Sequence, residues 1–452
     1  MQNKIYHQAK RILQKNEKQG FIMPDRGYYQ GVWLWDTGFI ALGEAYFNPE
    51  KSAKRLLNFI LKSQWKNGLI PHILFFNQET KGYFPGPKYW QTQVSKNCPQ
   101  AQTSGITQPP NLAFCVLMIY EKLKEKSSEK AKEFLAKIYP LLLKYHQYLI
   151  NERDPQNFGL VSIYHPWESG MDNSPRWQEI LSRISIAKEQ IEEIKFLRKD
   201  IKNLTKQWEI DGTSRSEALN LAVSMRPTNE DYARFYYLVK FLAGQNYNDK
   251  KIYFEIPFNV KDILFNSVFY VSNEALILMA KEINEKNSEI ENYLKKQKQA
   301  IEKLYDNESG LYYDLDFKTN KLIKRKTIAS FMPLFAGIPK KDQVKKIAEV
   351  AAGPEFKGKN SLFLIPSTSR FDLAYHSKSY WRGPIWMPTS WLILRGFERI
   401  GLTLISQEIK KSLIELVAQK GFWEYFDAEN LTGLGRQNFS WTAALIIDVL
   451  KN

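Results

Sequence analysis

Apolar positions in this chain recur mostly with a helical period. Leu112, Val116, Ile119 and Leu123 fall at i, i+4, i+7 and i+11, one face of a helix. The run 39–46 is more apolar, and 49–66 returns to an amphipathic pattern that stops before Asn67-Gly68. The same reading predicts helices over 1–20, 129–150, 229–243, 262–283, 286–305, 327–337, 340–352, 388–400, 403–420 and 438–450. A charged helical pair is predicted over 178–207, and a turn with a short helix over 212–226. Few strands beyond short hairpins are expected.

The pattern repeats as a unit: a helix, a glycine with an aromatic or aliphatic stretch, a loop, then a more apolar helix. The glycine-led stretches begin at Gly68, Gly159, Gly310 and Gly421. Repeated helical hairpins alternate an outer amphipathic helix with an inner apolar one. If the hairpins close into a ring, the inner helices run parallel and their N-termini open on one face. Aromatic-polar clusters at 28–36, 108 and 380–386 lie just before apolar helices, and Glu424 lies in the loop leading to one. They should converge on one mouth. The expected fold is all-α: a toroid of helical hairpins, with long loops and short hairpins over one aromatic-lined pocket. A single catalytic domain over 1–452 is expected, with 178–225 as a variable insertion and candidate lid. Asp36 or Thr37 is placed to cap the helix at 39–46. Gln108 sits just outside a helix start, since Pro109-Pro110 suit a first turn.

Composition narrows the class. The 452 residues are 44% hydrophobic and 25% charged, as in soluble globular proteins. Two cysteines, Cys98 and Cys115, exclude a disulfide framework and a cysteine-based metal site. Residues 1–20 are polar and lysine-rich, without the apolar core of a signal peptide. No stretch reads as the roughly 18 apolar residues of a membrane span. A cytoplasmic protein without a membrane partner is expected. The net charge of +16 raises nucleic acid as a partner. Yet the lysines alternate with glutamates, as in 121–132 and 189–206, which reads as a solvated surface. No nucleic-acid-binding signature is present.

The chemistry concentrates in Tyr164-His-Pro-Trp-Glu-Ser-Gly-Met-Asp-Asn-Ser-Pro-Arg-Trp177. Such a loop could simply tuck its tryptophans into the core. Aromatic faces beside carboxylates also suit a sugar, the rings packing on C–H faces while carboxylates meet hydroxyls. The chain shows no metal-ligand cluster, no glycine-rich phosphate loop and no Ser/His/Asp signature. Glycoside hydrolysis fits what remains, and it needs two carboxyl groups, one protonated and one ionised. Asp36, Glu168, Asp172, Asp314, Asp316, Glu424, Asp427 and Glu429 all lie in loops, and residue chemistry does not choose two of them. His72, His165 and His376 are scattered and read as hydrogen-bonding groups. No cofactor or metal is expected.

Four ordered motifs break the tie: Trp35-Asp36 with Gly38, Gly170–Trp177, Tyr380-Trp-Arg-Gly-Pro-Ile-Trp386, and Glu424-Tyr-Phe followed by Asn438-Phe-Ser-Trp441. Together they resemble glycoside hydrolase family 63, above all compact bacterial members related to mannosylglycerate hydrolase, with trehalases more distant. The resemblance runs from about residue 20 to 450 and is least family-like at 180–225. It implies an (α/α)6 barrel and an inverting mechanism, with Asp172 as general acid and Glu424 as general base. It implies sugar contacts from Tyr29, Trp33, Asp36, Gln108, Trp177, Tyr380, Trp381 and Trp386. Trp177 and Trp386 could instead be core, and Arg382 an ion-pair partner. Arg176 is the candidate partner of a substrate carboxylate, or else pairs with a structural carboxylate; Arg183 and Lys188 would sit on the lid. The implied substrate is a small α-linked glycoside, mannosylglycerate or glucosylglycerate. The alternatives are an α-glucosidase acting on disaccharides or short oligosaccharides, and a sugar-binding protein without catalysis. The oligomeric state is left open between monomer and homo-oligomer.

Overall fold

A computed structural model describes residues 1–27, 29, 31–76, 84–198, 226–358 and 362–452. Six inner elements form its centre: the helices Leu34–Ala45, Leu112–Lys124, Ile263–Glu282, Met387–Arg399 and Ser440–Lys451, and the 3-10 segment Ile328–Leu334. Each packs on the next in chain order, and the last packs on the first. This closed ring is the (α/α)6 barrel. Inner helices are largely apolar because most of their surface is covered; every residue of Leu34–Ala45 is buried. The outer helices, among them Gln2–Lys15, Pro49–Ser63 and Ser288–Glu302, bury one stripe each.

The four repeat glycines mark equivalent places. Each follows an outer helix and takes a left-handed backbone, with φ of 105° at Gly68, 88° at Gly159, 72° at Gly310 and 84° at Gly421. The ring is sealed where the chain's two ends meet. The helix Gln2–Lys15 packs along Ser440–Lys451, Asn16 Nδ2 donates to Ser440 Oγ at 2.9 Å, and Lys451 Nζ lies 4.7 Å above the Tyr6 ring.

Small antiparallel sheets cap the mouth. Gly31–Trp33 pairs with Ile73–Phe75, and Trp423–Phe426 pairs with Gly433–Gln437. A three-stranded sheet joins Val260–Lys261, Asp314–Asp316 and Lys321–Ile323.

Several expectations need correction. The first helix ends at Lys15, not Gly20, because Gln19 and Gly20 turn a hairpin between Glu17–Lys18 and Phe21–Ile22. Neither Asp36 nor Thr37 caps its helix. Trp33 is the N-cap, so Asp36 falls in the first turn, and Thr37 Oγ1 donates back to the Trp33 carbonyl at 2.6 Å. The short helix Asp249–Glu255 was not foreseen. The charged segment at 178–207 contains Gln178–Ser182 and Lys188–Leu197; its residues 199–207, and 212–225 of the expected turn and helix, lie outside the described residues. Ile263–Glu282 does reach the length and hydropathy of a membrane span, against the sequence reading. Its apolar surface is accounted for by the barrel, where 78% of its apolar window is buried.

Candidate active site

The inner helices open at their N-terminal ends into one cavity lined by aromatic rings and carboxyl groups. Of the eight loop carboxylates, three face it: Asp36, Asp172 and Glu424. The others are engaged elsewhere. Glu168 is buried against Arg153 at 2.9 Å. Asp314 pairs with Arg176 at 2.9 Å, and Asp316 with Arg183 at 2.7 Å. Asp427 accepts from the Glu429 backbone N–H at 2.9 Å, and Glu429 meets Arg370 at 3.2 Å.

The three cavity carboxyls differ in surroundings. Glu424 stands on the strand Trp423–Phe426. The Tyr29 hydroxyl donates to its Oε1 at 2.6 Å, and the Arg436 backbone N–H to its Oε2 at 3.1 Å. Burial raises its pKa above the usual carboxylate value, while Arg226, Tyr29 and the Arg436 N–H pull it back. Donors of this kind favour the ionised form. Asp172 is half-buried on the loop after Gly170. Burial pushes its carboxyl up to about 7, with Glu424 adding to the rise and Arg226 opposing it. Asp36, deeper in the wall, is raised well above the ordinary range by burial, with a further push from Glu424. The site therefore holds one carboxylate supplied with donors and two carboxyls biased toward the neutral form.

Gly170 is required where it is. Its φ is 70°, and a Cβ there would stand 2.8 Å from the Trp35 ring. Tyr380 holds a left-handed φ of 37° without being glycine. Its carbonyl accepts from Trp386 Nε1 at 2.9 Å, and the Arg226 guanidinium lies 4.6 Å above its ring. Backbone strain of this sort concentrates at functional sites.

Of the residues expected to touch sugar, Tyr29, Trp33, Asp36, Gln108, Tyr380 and Trp381 line the cavity. Gln108 Oε1 accepts from the Trp35 backbone N–H at 3.4 Å. Trp386, Trp177 and Arg176 do not line it. Trp386 is stacked behind Trp381, ring centroids 4.0 Å apart and nearly parallel. Trp177 is buried against Phe258, and its Nε1 donates to the Met171 carbonyl at 2.9 Å. Arg176 is 1% exposed and shared between Asp262 and Asp314. Arg382 Nε donates to the Asn173 backbone carbonyl at 3.0 Å, a backbone contact where an ion pair was expected.

Sequence reasoning passed over Arg226. Among the described residues it is the one arginine or lysine on the cavity wall, and its Nη2 approaches the Tyr29 hydroxyl at 3.4 Å. It stands just before the helix Asn229–Gly244. That is the same place relative to a helix as the recognised clusters, and the signal that could have found it. His72, Trp35, Trp167 and Trp441 also line the cavity. His72 is held neutral by burial, with its Nδ1 at 2.6 Å from Ser104 Oγ. Among the described residues, no cluster of three His, Cys, Asp or Glu is placed to hold a metal.

Known proteins resemble this chain over nearly its whole length. Residues 28–442 match the family described as the mannosylglycerate hydrolase MGH1-like glycoside hydrolase domain. The mannosylglycerate hydrolase of Thermus thermophilus is 35% identical over 439 residues, 97% of this chain and 99% of the relative. The glucosylglycerate hydrolase of Mycolicibacterium hassiacum is 30% identical over 432 residues, 93% and 92% of the two chains. The crystal structure of a family 63 mannosylglycerate hydrolase from Thermus thermophilus, in complex with Tris and D-glycerate, superposes with a TM-score of 0.84 at 33% identity. It covers 98% of this chain and 99% of that one. In sequence, in barrel architecture and over nearly its whole length, this chain belongs to the mannosylglycerate hydrolase MGH1-like family of glycoside hydrolases.

Proposed function

We propose that the protein hydrolyses the α-glycosidic bond of mannosylglycerate or glucosylglycerate with inversion, releasing the free sugar and glycerate. One observation carries this reading. A donor-supplied carboxylate, Glu424, and a carboxyl raised to about 7, Asp172, face one aromatic cavity that also holds Arg226. Asp172, protonated, gives its proton to the glycosidic oxygen as the bond to the anomeric carbon breaks. Glu424 takes a proton from a water whose oxygen bonds to that carbon from the opposite face. Each turnover leaves Asp172 ionised and Glu424 protonated, and exchange with solvent restores both. Trp381, braced from behind by Trp386, offers a ring face to the sugar. Asp36, held neutral, can donate to a sugar hydroxyl. The aglycone is a glycerate, whose carboxylate needs a cation at the wall; Arg226 takes the part first considered for Arg176. Cys98 and Cys115 are free thiols, which suits a cytoplasmic enzyme.

The test is a panel of mannosylglycerate, glucosylglycerate, kojibiose and trehalose, followed by proton NMR to record the anomer first released. The expected result is rapid cleavage of a glycerate glycoside with the β-anomer appearing first. Cleavage of kojibiose or trehalose without any glycerate glycoside would instead make the protein a disaccharide α-glucosidase. An α-anomer first would exclude inversion.

A further inference from the structure

Arg176 does not reach the cavity, yet its guanidinium is engaged around the loop that carries Asp172. Nη1 donates to Asp262 Oδ2 at 3.0 Å and to Asp314 Oδ1 at 2.9 Å. Nε donates to Ser174 Oγ at 3.2 Å, and Nη2 lies 3.2 Å from Met171 Sδ. The guanidinium rests over the Trp177 ring at 4.1 Å. Its two carboxylate partners are fixed in turn. Asp262 caps the inner helix Ile263–Glu282, accepting from the Phe265 N–H at 2.6 Å. Asp314 accepts from the Ile263 N–H at 2.8 Å. One buried guanidinium thus ties residues on both sides of Asp172 to the first turn of a barrel helix. The loop's other side is tied too, since Asn173 Oδ1 accepts from the Trp381 N–H at 2.8 Å.

A buried ion cluster is a poor way to gain stability, because desolvation offsets most of the attraction. What its fork of donors provides is geometry. Proton donation needs the acid within hydrogen-bond reach of the leaving oxygen, and an error of about 1 Å can cost on the order of 100-fold.

We propose that Arg176 is a positioning residue for the general acid: it fixes where the Asp172 carboxyl stands relative to the glycosidic oxygen. The inference rests on the assignment of Asp172 as that acid. It makes a specific demand. Loss of Arg176 should harm substrates whose leaving group must be protonated and spare those whose leaving group departs as an anion.

The experiment compares the wild type, Asp172→Asn, Arg176→Lys and Asp314→Asn as full-length proteins. Each is assayed on a glycerate glycoside and on the α-fluoride of the same sugar. Arg176→Lys keeps the charge and loses the fork, so kcat on the glycerate glycoside should fall on the order of 100-fold. On the fluoride it should fall only a few-fold, with KM little changed on either. Asp314→Asn, which leaves the arginine in place and weakens one anchor, should show a smaller split in the same direction, and it keeps the question answerable if Arg176→Lys does not fold. Equal losses on both substrates in folded variants would reduce Arg176 to a stabilising residue and overturn the proposal. If Asp172→Asn shows the split and the Arg176 and Asp314 variants do not, the proposal alone falls. If Asp172→Asn loses equally on both substrates, the assignment of the acid falls and the proposal with it.

Discussion

Asp172 and Glu424 carry the same functional group and face one cavity, and their neighbours separate them. Burial dominates at Asp172 and lifts it to about 7; at Glu424 two donors partly offset burial. For free enzyme this predicts a bell-shaped kcat/KM profile whose alkaline limb bends near pH 7, as Asp172 loses the proton it must give. Its acid limb should lie above the ordinary carboxylate range, following Glu424. Asp172→Asn and Glu424→Gln should each lower kcat by about 100-fold or more while the fold survives. The same shift bears on stability. The folded pKa of Asp172 lies above its unfolded value, so its contribution is present in acid and is lost as pH rises through about 7. Asp172→Asn should therefore raise Tm above about pH 8 and make little difference near pH 4, a comparison that differential scanning calorimetry can make. Arg226→Gln should raise KM for glycerate glycosides about 10-fold or more, the worth of one charge-assisted hydrogen bond. A neutral α-glycoside of the same sugar should be much less affected; equal increases would remove Arg226 from carboxylate recognition. The residue types of the site were legible in the chain; residue chemistry did not choose among the eight carboxylates, and only the resemblance of the motifs did. Glu168 and Asp314 look as available as Asp172 until Arg153 and Arg176 are seen folded against them, and such pairs join segments with no shared period.

At the scale of elements, the helices were readable because apolar spacing records which side is covered. Their ends were not. Gln19-Gly20 turns the chain back before the lysine-rich pattern changes, and Trp33 displaces Asp36 from the cap. The strands of two to five residues that position the site are too short to show a two-residue period. One of them carries the base, and its partner strand Gly433–Gln437 holds a testable constraint. Gly435 has φ of 72°, and a Cβ there would stand 2.4 Å from Glu424 Oε2. Gly435→Ala should displace the carboxylate and strain the backbone by roughly 1–3 kcal/mol. The expected outcome is a fall in kcat larger than any change in KM, with a Tm lowered by roughly 1–3 °C. Unchanged kinetics would show that Glu424 has room to move without consequence.

At the scale of the molecule, the repeat glycines and the alternation of amphipathic and wholly apolar helices announced a toroid. The number six came from the resemblance; one inner unit, read from the sequence as a helix over 327–337, is the 3-10 segment Ile328–Leu334. Closure itself leaves no local trace, since it depends on residues from opposite ends of the chain. Asn16 meets Ser440, and Tyr6 meets Lys451. That seam joins neighbouring elements and is not an edge of the architecture, so the ring does not depend on which of its elements comes first in the chain. A short flexible linker from Asn452 to Met1, with new ends opened in the exposed turn between Glu285 and Lys286, should give a circular permutant that folds and retains activity. Circular dichroism and turnover of the wild-type substrate would check it. In such a molecule the helix Ser440–Lys451 would be synthesised before Gln2–Lys15, reversing which of the two waits for the other.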